Sequence, residues 1–112
     1  MNKRYNQLPQ VAFSILLTLG AEPRHGYGIM KQVAEDSGGK IKLVPGALYA
    51  SIKQLVEQNY IREVVEPDDL RRRYYKITGK GRRVLCEELA YYQSSLDLAR
   101  RRRLLDAEAR YA

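Results

Sequence analysis

The sequence predicts a mainly α-helical domain that carries a two-stranded β-hairpin. Apolar residues recur at helical spacing in four segments, and a short alternating pattern lies between the third and the fourth. The 112 residues suit one compact core, and 45% hydrophobic with 29% charged residues is typical of a globular protein rather than a disordered one. A single cysteine, Cys86, and a single histidine exclude an internal disulfide and the usual zinc sites, so we expect no metal and no cofactor.

The first helix is predicted from about Leu8 to Leu19, ending at Gly20. It is apolar nearly all round, and a small domain offers little to cover two faces. We therefore expect Leu8, Val11 and Phe13 to contact a partner subunit.

Lys3 and Arg4 followed by this apolar run loosely resemble a signal peptide. The helical spacing of the run favours a helix of the folded domain instead, and it is too short to span a bilayer, which needs about 20 residues. The sequence thus predicts a cytoplasmic protein without a membrane partner.

A second helix is predicted over 27–36 and is followed by Gly38-Gly39. A third begins at Pro45-Gly46, because proline suits the first turn of a helix, and it turns Leu48, Ile52 and Leu55 inward. Its outer side is small and polar near the N-terminus, so another backbone can approach it closely. The free amides of a helix N-terminus also favour phosphate.

The pattern then predicts a hairpin, with strands over 60–66 and 72–77 joined by a turn at 67–69. Thr78 is the expected N-cap of a long last helix. Apolar residues of that helix recur every seven positions: Val84, Tyr91, Leu98 and Leu105, with Leu85, Tyr92 and Ala99 one position later and Leu89 and Leu96 between them. A stripe this long exceeds what one small domain buries, so we expect a homodimer that packs through Leu85, Leu89, Tyr92, Leu96 and Ala99.

The net charge of +7 is confined to one part of the chain. Segments 1–70 and 84–112 each balance their charges, whereas 71–83 holds seven Lys and Arg and no acid. Because a solvated face normally mixes signs, this clustering favours a polyanion partner and predicts one basic site.

Three helices followed by a basic hairpin describe a winged helix-turn-helix, in which the third helix enters the major groove and the hairpin, or wing, lies along the flanking backbone. We expect double-stranded DNA to be contacted by Tyr27, Pro45, Gly46, Ala47, Tyr49, Ala50, Lys53, Gln54, Arg71, Arg72, Arg73 and Lys76. The predicted division is a DNA-binding domain over 1–78 and a C-terminal dimerisation helix over 79–112, forming one compact unit.

Several motifs occur in an order that resembles one known family. They are His25-Gly26-Tyr27-Gly28-Ile29, Pro45-Gly46-Ala47-Leu48-Tyr49, Tyr60-Ile61, Arg73-Tyr74-Tyr75-Lys76-Ile77-Thr78 and Lys80-Gly81. Over about residues 8–85 the chain is similar to PadR-family transcriptional regulators, and its single last helix is similar to the short PadR branch. The resemblance implies a dimeric regulator that binds a pseudo-palindromic operator, often released by a small aromatic effector, for which Tyr91 and Tyr92 are the candidate contacts here.

The chain departs from the family where the third helix would meet DNA. PadR proteins usually carry Ser or Thr where this chain has Val44 and Ala47, Pro where it has Ala50, and Gly where it has Asn59. Losing hydroxyl groups removes hydrogen bonds to bases, although alanine still contacts a thymine methyl.

An enzyme is not expected, because the sole His and Cys lie in different elements and Glu87-Glu88 is interpreted as exposed surface charge. His25 is expected to fix a helix start. Arg100–Arg103 is interpreted as a charged helix end, because the segment balances its charges, with an extra nucleic-acid contact as the alternative. The favoured function is a homodimeric, sequence-specific repressor; the alternatives are an architectural or replication-associated DNA-binding protein without effector, and an adaptor that binds an acidic protein or anionic lipid.

Overall fold

The computed structural model describes residues 7–106, in which helices predominate. In chain order the elements are α1 (Gln10–Leu19), β1 (Arg24–His25), α2 (Gly26–Asp36), α3 (Pro45–Glu57), β2 (Ile61–Val64), β3 (Tyr74–Ile77) and α4 (Gly79–Arg101). The mainly α-helical class with a β-hairpin and a long last helix is confirmed. Lys3, Arg4 and the outer ends of the two predicted domains, at residues 1 and 112, lie outside the described residues.

The sheet has three antiparallel strands in the order β1–β3–β2: β2 and β3 form the predicted two-stranded hairpin, and β1 adds a third strand that was not predicted. In β1, Arg24 pairs with Tyr75 and His25 pairs with Tyr74. A two-residue strand is too short to show an alternating pattern, which explains why the sequence did not reveal it.

The hairpin strands are shorter than predicted. β2 ends at Val64 and β3 begins only at Tyr74, so Arg72 and Arg73 lie with Arg71 in the connection 65–73 rather than in the return strand. Pro67 in this connection has no amide hydrogen to donate to a ladder. We use "wing" for β2, β3 and this connection together.

The core lies between α1, α2, α3 and the inner face of the sheet. Its most buried apolar side chains, each 1% exposed or less, are Ile15, Leu16, Leu19, Ile29, Leu48, Leu55 and Ile61. Leu85 of α4 joins the same cluster. No helix within residues 7–106 is both long enough and apolar enough to span a bilayer.

The junction between α3, β2 and α4 is closed by Thr78. Its hydroxyl accepts the Gly81 amide at 3.0 Å, which confirms the predicted N-cap, and donates to the Asn59 carbonyl oxygen at 2.6 Å. Asn59 adopts a φ of 63°, which is a left-handed backbone conformation. Glycine adopts this conformation most readily, and asparagine adopts it more readily than most other residues. This accounts for Asn59 where the resembling family has Gly.

Glu88 corrects the prediction that Glu87 and Glu88 are both surface charges. Glu87 is exposed, whereas Glu88 is 1% exposed and faces α1. One carboxylate oxygen accepts the Leu8 amide at 3.3 Å and the other accepts the Tyr92 hydroxyl at 2.9 Å, a bond that, with burial, raises the pKa of Tyr92. Glu88 therefore ties the chain just before α1 to α4.

Two glycines in the first turn of α4 should respond oppositely to alanine. A Cβ at Gly81 would collide with the Tyr60 carbonyl oxygen, whereas a Cβ at Gly79 meets nothing within 4 Å. We expect Gly81→Ala to lower the free energy of unfolding by about 2 kcal/mol or more, since rigid backbone is overpacked. Gly79→Ala should leave it unchanged or raise it by up to about 1 kcal/mol. Urea unfolding monitored by circular dichroism measures both, and equal effects would contradict the packing described here.

Candidate nucleic-acid interface

The exposed side of α3 is built as the sequence predicted. Leu48, Ile52 and Leu55 face the core. The exposed residues include all seven that were predicted to contact DNA on this helix: Pro45, Gly46, Ala47, Tyr49, Ala50, Lys53 and Gln54. Val44 stands at the N-cap and its side chain accepts no hydrogen bond, so it does not compete with a phosphate for the first-turn amides.

Tyr49 is positioned by α2 as well as by its own helix. Its hydroxyl lies so close to Gly26 that a Cβ at Gly26 would collide with it, and Gly26 is buried beneath it. The side chain is nevertheless 50% exposed. Because Gly26 has no side chain, the Tyr49 ring can pack directly against the start of α2, and about half of the Tyr49 side chain remains exposed to solvent.

The three arginines before β3 are exposed, and two of them have acidic neighbours. Arg72 Nε is 3.4 Å from Asp69 Oδ2, and Arg73 Nε is 3.7 Å from Glu63 Oε2. Exposed ion pairs contribute little to stability. A phosphate, which offers charge-assisted bonds to guanidinium groups, competes effectively with such partners.

Two depressions meet at Tyr49 and Tyr75. One, of about 540 Å³, lies between the start of α2 and the wing and is lined by His25, Gly26, Tyr27, Tyr49, Tyr75 and the three arginines 71–73. The other, of about 450 Å³, lies between α3 and the sheet and includes Lys53, Glu63 and Arg73 in its lining. Tyr27 is 66% exposed at the rim. The structure therefore brings Tyr27, the arginines 71–73 and two of the predicted α3 residues, Tyr49 and Lys53, together. The other five predicted residues of α3 line neither depression.

Lys76 is not part of this group. Strand alternation turns Tyr75 and Ile77 toward the core and places Lys76 on the outer face of the sheet. There it pairs directly with Arg62 of β2, another exposed cation, which the sequence analysis did not select. Arg62 could have been found only from the register of the hairpin, because it lies in a segment whose charges balance.

The basic segment 71–83 does not form one site, which corrects the sequence prediction. β3 runs from Tyr74 to Ile77, and the arginines precede it whereas Lys80, Arg82 and Arg83 follow it. Lys80 lies 5.5 Å from the centre of the Tyr60 ring, and Arg82 donates to the Gly20 carbonyl oxygen at 3.4 Å. The excess charge is thus divided between the two ends of the strand.

His25 fixes the start of α2, as expected. Its Nδ1 accepts the Gly28 amide at 3.1 Å and caps the helix. Its ring lies nearly parallel to that of Tyr27, with centroids 6.5 Å apart, and meets the Tyr74 ring edge-on at 5.2 Å. His25 also contacts Arg72 of the wing.

The predicted dimer residues divide into two groups. Leu8 and Leu85 lie in the chain's own core and are only 8% and 4% exposed. Almost none of their surface is left for a partner subunit, so the prediction that they form the dimer interface is corrected. Val11 and Phe13 are half-buried, and Phe13 packs edge-on against Tyr92 with ring centroids 5.3 Å apart. Leu89 and Leu96 are exposed.

The second half of α4 extends beyond the chain's own core. Between residues 93 and 105 no side chain is buried, and Ala99 alone is half-buried. Tyr91 is 51% exposed, and its ring centroid lies 5.7 Å from that of Tyr92. The apolar stripe of α4 thus meets α1 near Tyr92 and then continues in solvent.

Comparison with known proteins identifies a family whose model matches this chain. Residues 15–87 match the model of the family described as "Transcriptional regulator PadR-like family". A search of the curated proteins gave no match.

Solved structures share the fold. The chain is similar to a PadR family transcription regulator from Clostridium difficile R20291, with 22% identity, coverage of 83% of this chain and 97% of that one, and a TM-score of 0.71. It is also similar to RosR of H. salinarum, with 24% identity, coverage of 96% and 87%, and a TM-score of 0.69. The complex structure of hsRosR-S1 matches with 26% identity, coverage of 92% and 82%, and a TM-score of 0.67.

The family match covers more than half of the chain, and the described fold agrees with it: a helical domain with a small antiparallel sheet and a long last helix. The chain therefore belongs to the PadR-like family of transcriptional regulators, which act by binding DNA and are not enzymes.

Proposed function

We propose that the protein is a homodimeric repressor that binds a pseudo-palindromic DNA operator through α3 and the arginines 71–73. The observation that carries this proposal is that Tyr49 and Lys53, on the exposed side of α3, line the same depressions as these arginines. A groove-reading surface beside a backbone-binding surface is what a winged helix-turn-helix requires. A protein that acts on genomic operators in this way works in the cytoplasm.

The composition of α3 suits close contact with bases. Gly46, Ala47 and Ala50 present little bulk, so the first turns of the helix can enter the major groove deeply, and alanine methyl groups contact thymine methyls. Lys53 and Gln54 supply the donors and acceptors that distinguish guanine and adenine edges. Tyr49, whose hydroxyl packs against Gly26, lines one depression together with Lys53 and is half exposed there.

The arginines 71–73 supply affinity without sequence preference. Phosphate contacts release counterions, so the logarithm of the binding constant falls with the logarithm of salt concentration by about 0.9 per contact. With roughly three or four phosphate contacts in each subunit, the slope for a dimer is about −5 to −7. Lys76 and Arg62 on the outer face of the sheet stand apart from this track.

The homodimer accounts for the second half of α4. The helix has 23 residues and is about 34 Å long, yet residues 93–105 are not buried by their own chain. Seven residues return a helix almost to the same angle, which aligns Leu89 with Leu96 and Tyr92 with Ala99. The two pairs are three residues apart and therefore neighbours on one stripe. A second copy of α4 covers this stripe and places two α3 helices on one face of the duplex.

Release by a small aromatic effector completes the proposed repressor cycle. Tyr91 and Tyr92 present two aromatic rings close to the stripe, and Tyr92 is held by its bond to Glu88. An aromatic ligand that packs against Tyr91 would act at the dimer helix rather than at the DNA surface.

The salt dependence of binding should change when arginines are removed. Replacing Arg71 and Arg73 with Ala removes up to four phosphate contacts from the dimer, so binding to every duplex should weaken and the salt slope should flatten by about 3 to 4. Fluorescence anisotropy with labelled duplexes from 50 to 300 mM salt measures both. The matched control Arg101→Ala, near the end of α4, should leave the slope unchanged; an effect as large as that of the double variant would instead favour an extra contact from Arg100–Arg103.

Selection of bound fragments from random DNA tests the function itself. The wild type should enrich two inverted half-sites about 10 bp apart or a multiple of this, since the two-fold axis of the dimer is imposed on the operator. Tyr49→Ala should relax the consensus at one position of each half-site while keeping its symmetry. Recovery of no consensus would support the architectural DNA-binding protein, and failure to retard any duplex at low salt would support the adaptor.

Placing one charged side chain on the apolar stripe of α4 should abolish dimerisation. We expect Leu96→Glu to sediment as a folded monomer at micromolar concentration, because the carboxylate cannot be buried against a partner without a large cost. Leu70→Glu, a matched change at an exposed leucine of the wing, should remain dimeric. A dimeric Leu96→Glu variant would place the interface elsewhere.

A further inference from the structure

His25 is the only histidine of the chain, and it lies where α2 meets the wing. One ring nitrogen, Nδ1, accepts the Gly28 amide at 3.1 Å. The other, Nε2, lies 2.8 Å from Nη1 of Arg72. Both nitrogens of this imidazole are therefore in contact with nitrogen atoms of other residues.

The two contacts compete with each other. A backbone N–H and an arginine guanidinium are donors only, and a neutral imidazole has one acceptor nitrogen and one N–H. When Nδ1 accepts from Gly28, Nε2 carries the proton and faces a second donor. When Nε2 accepts from Arg72, Nδ1 carries the proton and the cap of α2 is lost. The ring can make one of these hydrogen bonds at a time.

The surroundings hold both competitors in place. Arg72 Nε is paired with Asp69 Oδ2, and the Tyr74 hydroxyl donates to the same oxygen at 3.4 Å. Burial and the Asp69 carboxylate raise the pKa of Tyr74, so this hydroxyl stays a donor. The edge-on contact of the Tyr74 ring keeps the imidazole beside Arg72.

Arg72 nevertheless keeps donors for another ligand. Its side chain is 56% exposed. Of its five N–H groups, one points to Asp69 and one to His25, so both on Nη2 and the second on Nη1 remain. A phosphate that approaches this edge offers an anionic acceptor, to which a guanidinium binds more strongly than to a neutral ring nitrogen, so it competes with His25 for the guanidinium.

We propose that His25 is a positioning residue that couples phosphate binding by Arg72 to the capping of α2. This inference rests on the proposed contact between the wing and the DNA backbone. A phosphate draws the guanidinium of Arg72 away from Nε2. The proton on Nδ1 then leaves to water and Nε2 takes a proton from water. In this tautomer Nδ1 is free to accept the hydrogen bond from the Gly28 amide. The neutral ring ends with the same number of protons.

The coupling reaches the base-reading surface. The helix start that His25 caps also carries Gly26, on which Tyr49 of α3 is seated. When α2 is fully capped its first turn is fixed, and with it the support of the Tyr49 ring. A contact with the backbone at the wing thereby steadies a residue that faces the bases.

Nitrogen NMR of the single imidazole tests the competition directly. The full-length protein is measured at pH 8, free and with a random-sequence duplex at low salt. We expect free wild type to average the two tautomers and the complex to show the Nε2–H tautomer. Free Arg72→Ala should show the Nε2–H tautomer without DNA. An unchanged tautomer in Arg72→Ala would overturn the competition, and an unchanged tautomer in the complex would overturn the coupling.

The variant His25→Asn separates the cap from the contact with Arg72. Asparagine is a good N-cap, but it has no second ring nitrogen near Arg72. Addition of the duplex should slow hydrogen exchange of the Gly28 amide by about fivefold in the wild type, the factor expected from gaining a cap, and should leave it unchanged in His25→Asn. Equal slowing in both would overturn the role of His25. If wild type binds no duplex at low salt, the proposed function fails, whereas binding with an unchanged tautomer defeats this inference alone.

Discussion

The pairing of β1 with β3 is the constraint on which the candidate interface depends. It is only two residues long, but it fixes His25 opposite Tyr74 and so holds the start of α2 against the wing. From that junction Gly26 seats Tyr49 of α3, and His25 reaches Arg72. Because three elements meet there, α3 and the arginines 71–73 have a fixed relation to each other.

The pleat of the sheet determines on which face each cationic side chain lies. Successive residues of a strand point to opposite faces, so neighbours in sequence need not share a surface. Lys76 therefore lies with Arg62 on the outer face, although Arg73, three residues earlier, lies beside α3. A cluster that looks continuous in the sequence is therefore divided between separate surfaces.

The apolar stripe of α4 packs into the chain's own core near the start of the helix and is exposed further along it. Near its start Leu85 enters the core and Glu88 binds the chain before α1, which anchors the helix. Past Tyr92 the same stripe leaves the core, and Leu96 remains exposed. A helix anchored firmly at one end presents its free half rigidly, which suits the dimer contact proposed for it. The buried Glu88 could not be foreseen, since a carboxylate is seldom buried unless specific donors meet it.

The sequence by itself determined the helices, the hairpin, the exposed side of α3, the cap at Thr78 and the family resemblance, because these depend on local periodicity, turn chemistry and motif order. Tertiary structure alone decided the third strand, the seat of Tyr49 on Gly26, the division of the basic segment and the burial of Glu88. Each of these arises from contact between residues far apart in the chain. Such contacts depend on strand register and on which helix faces meet, and local patterns carry no record of either.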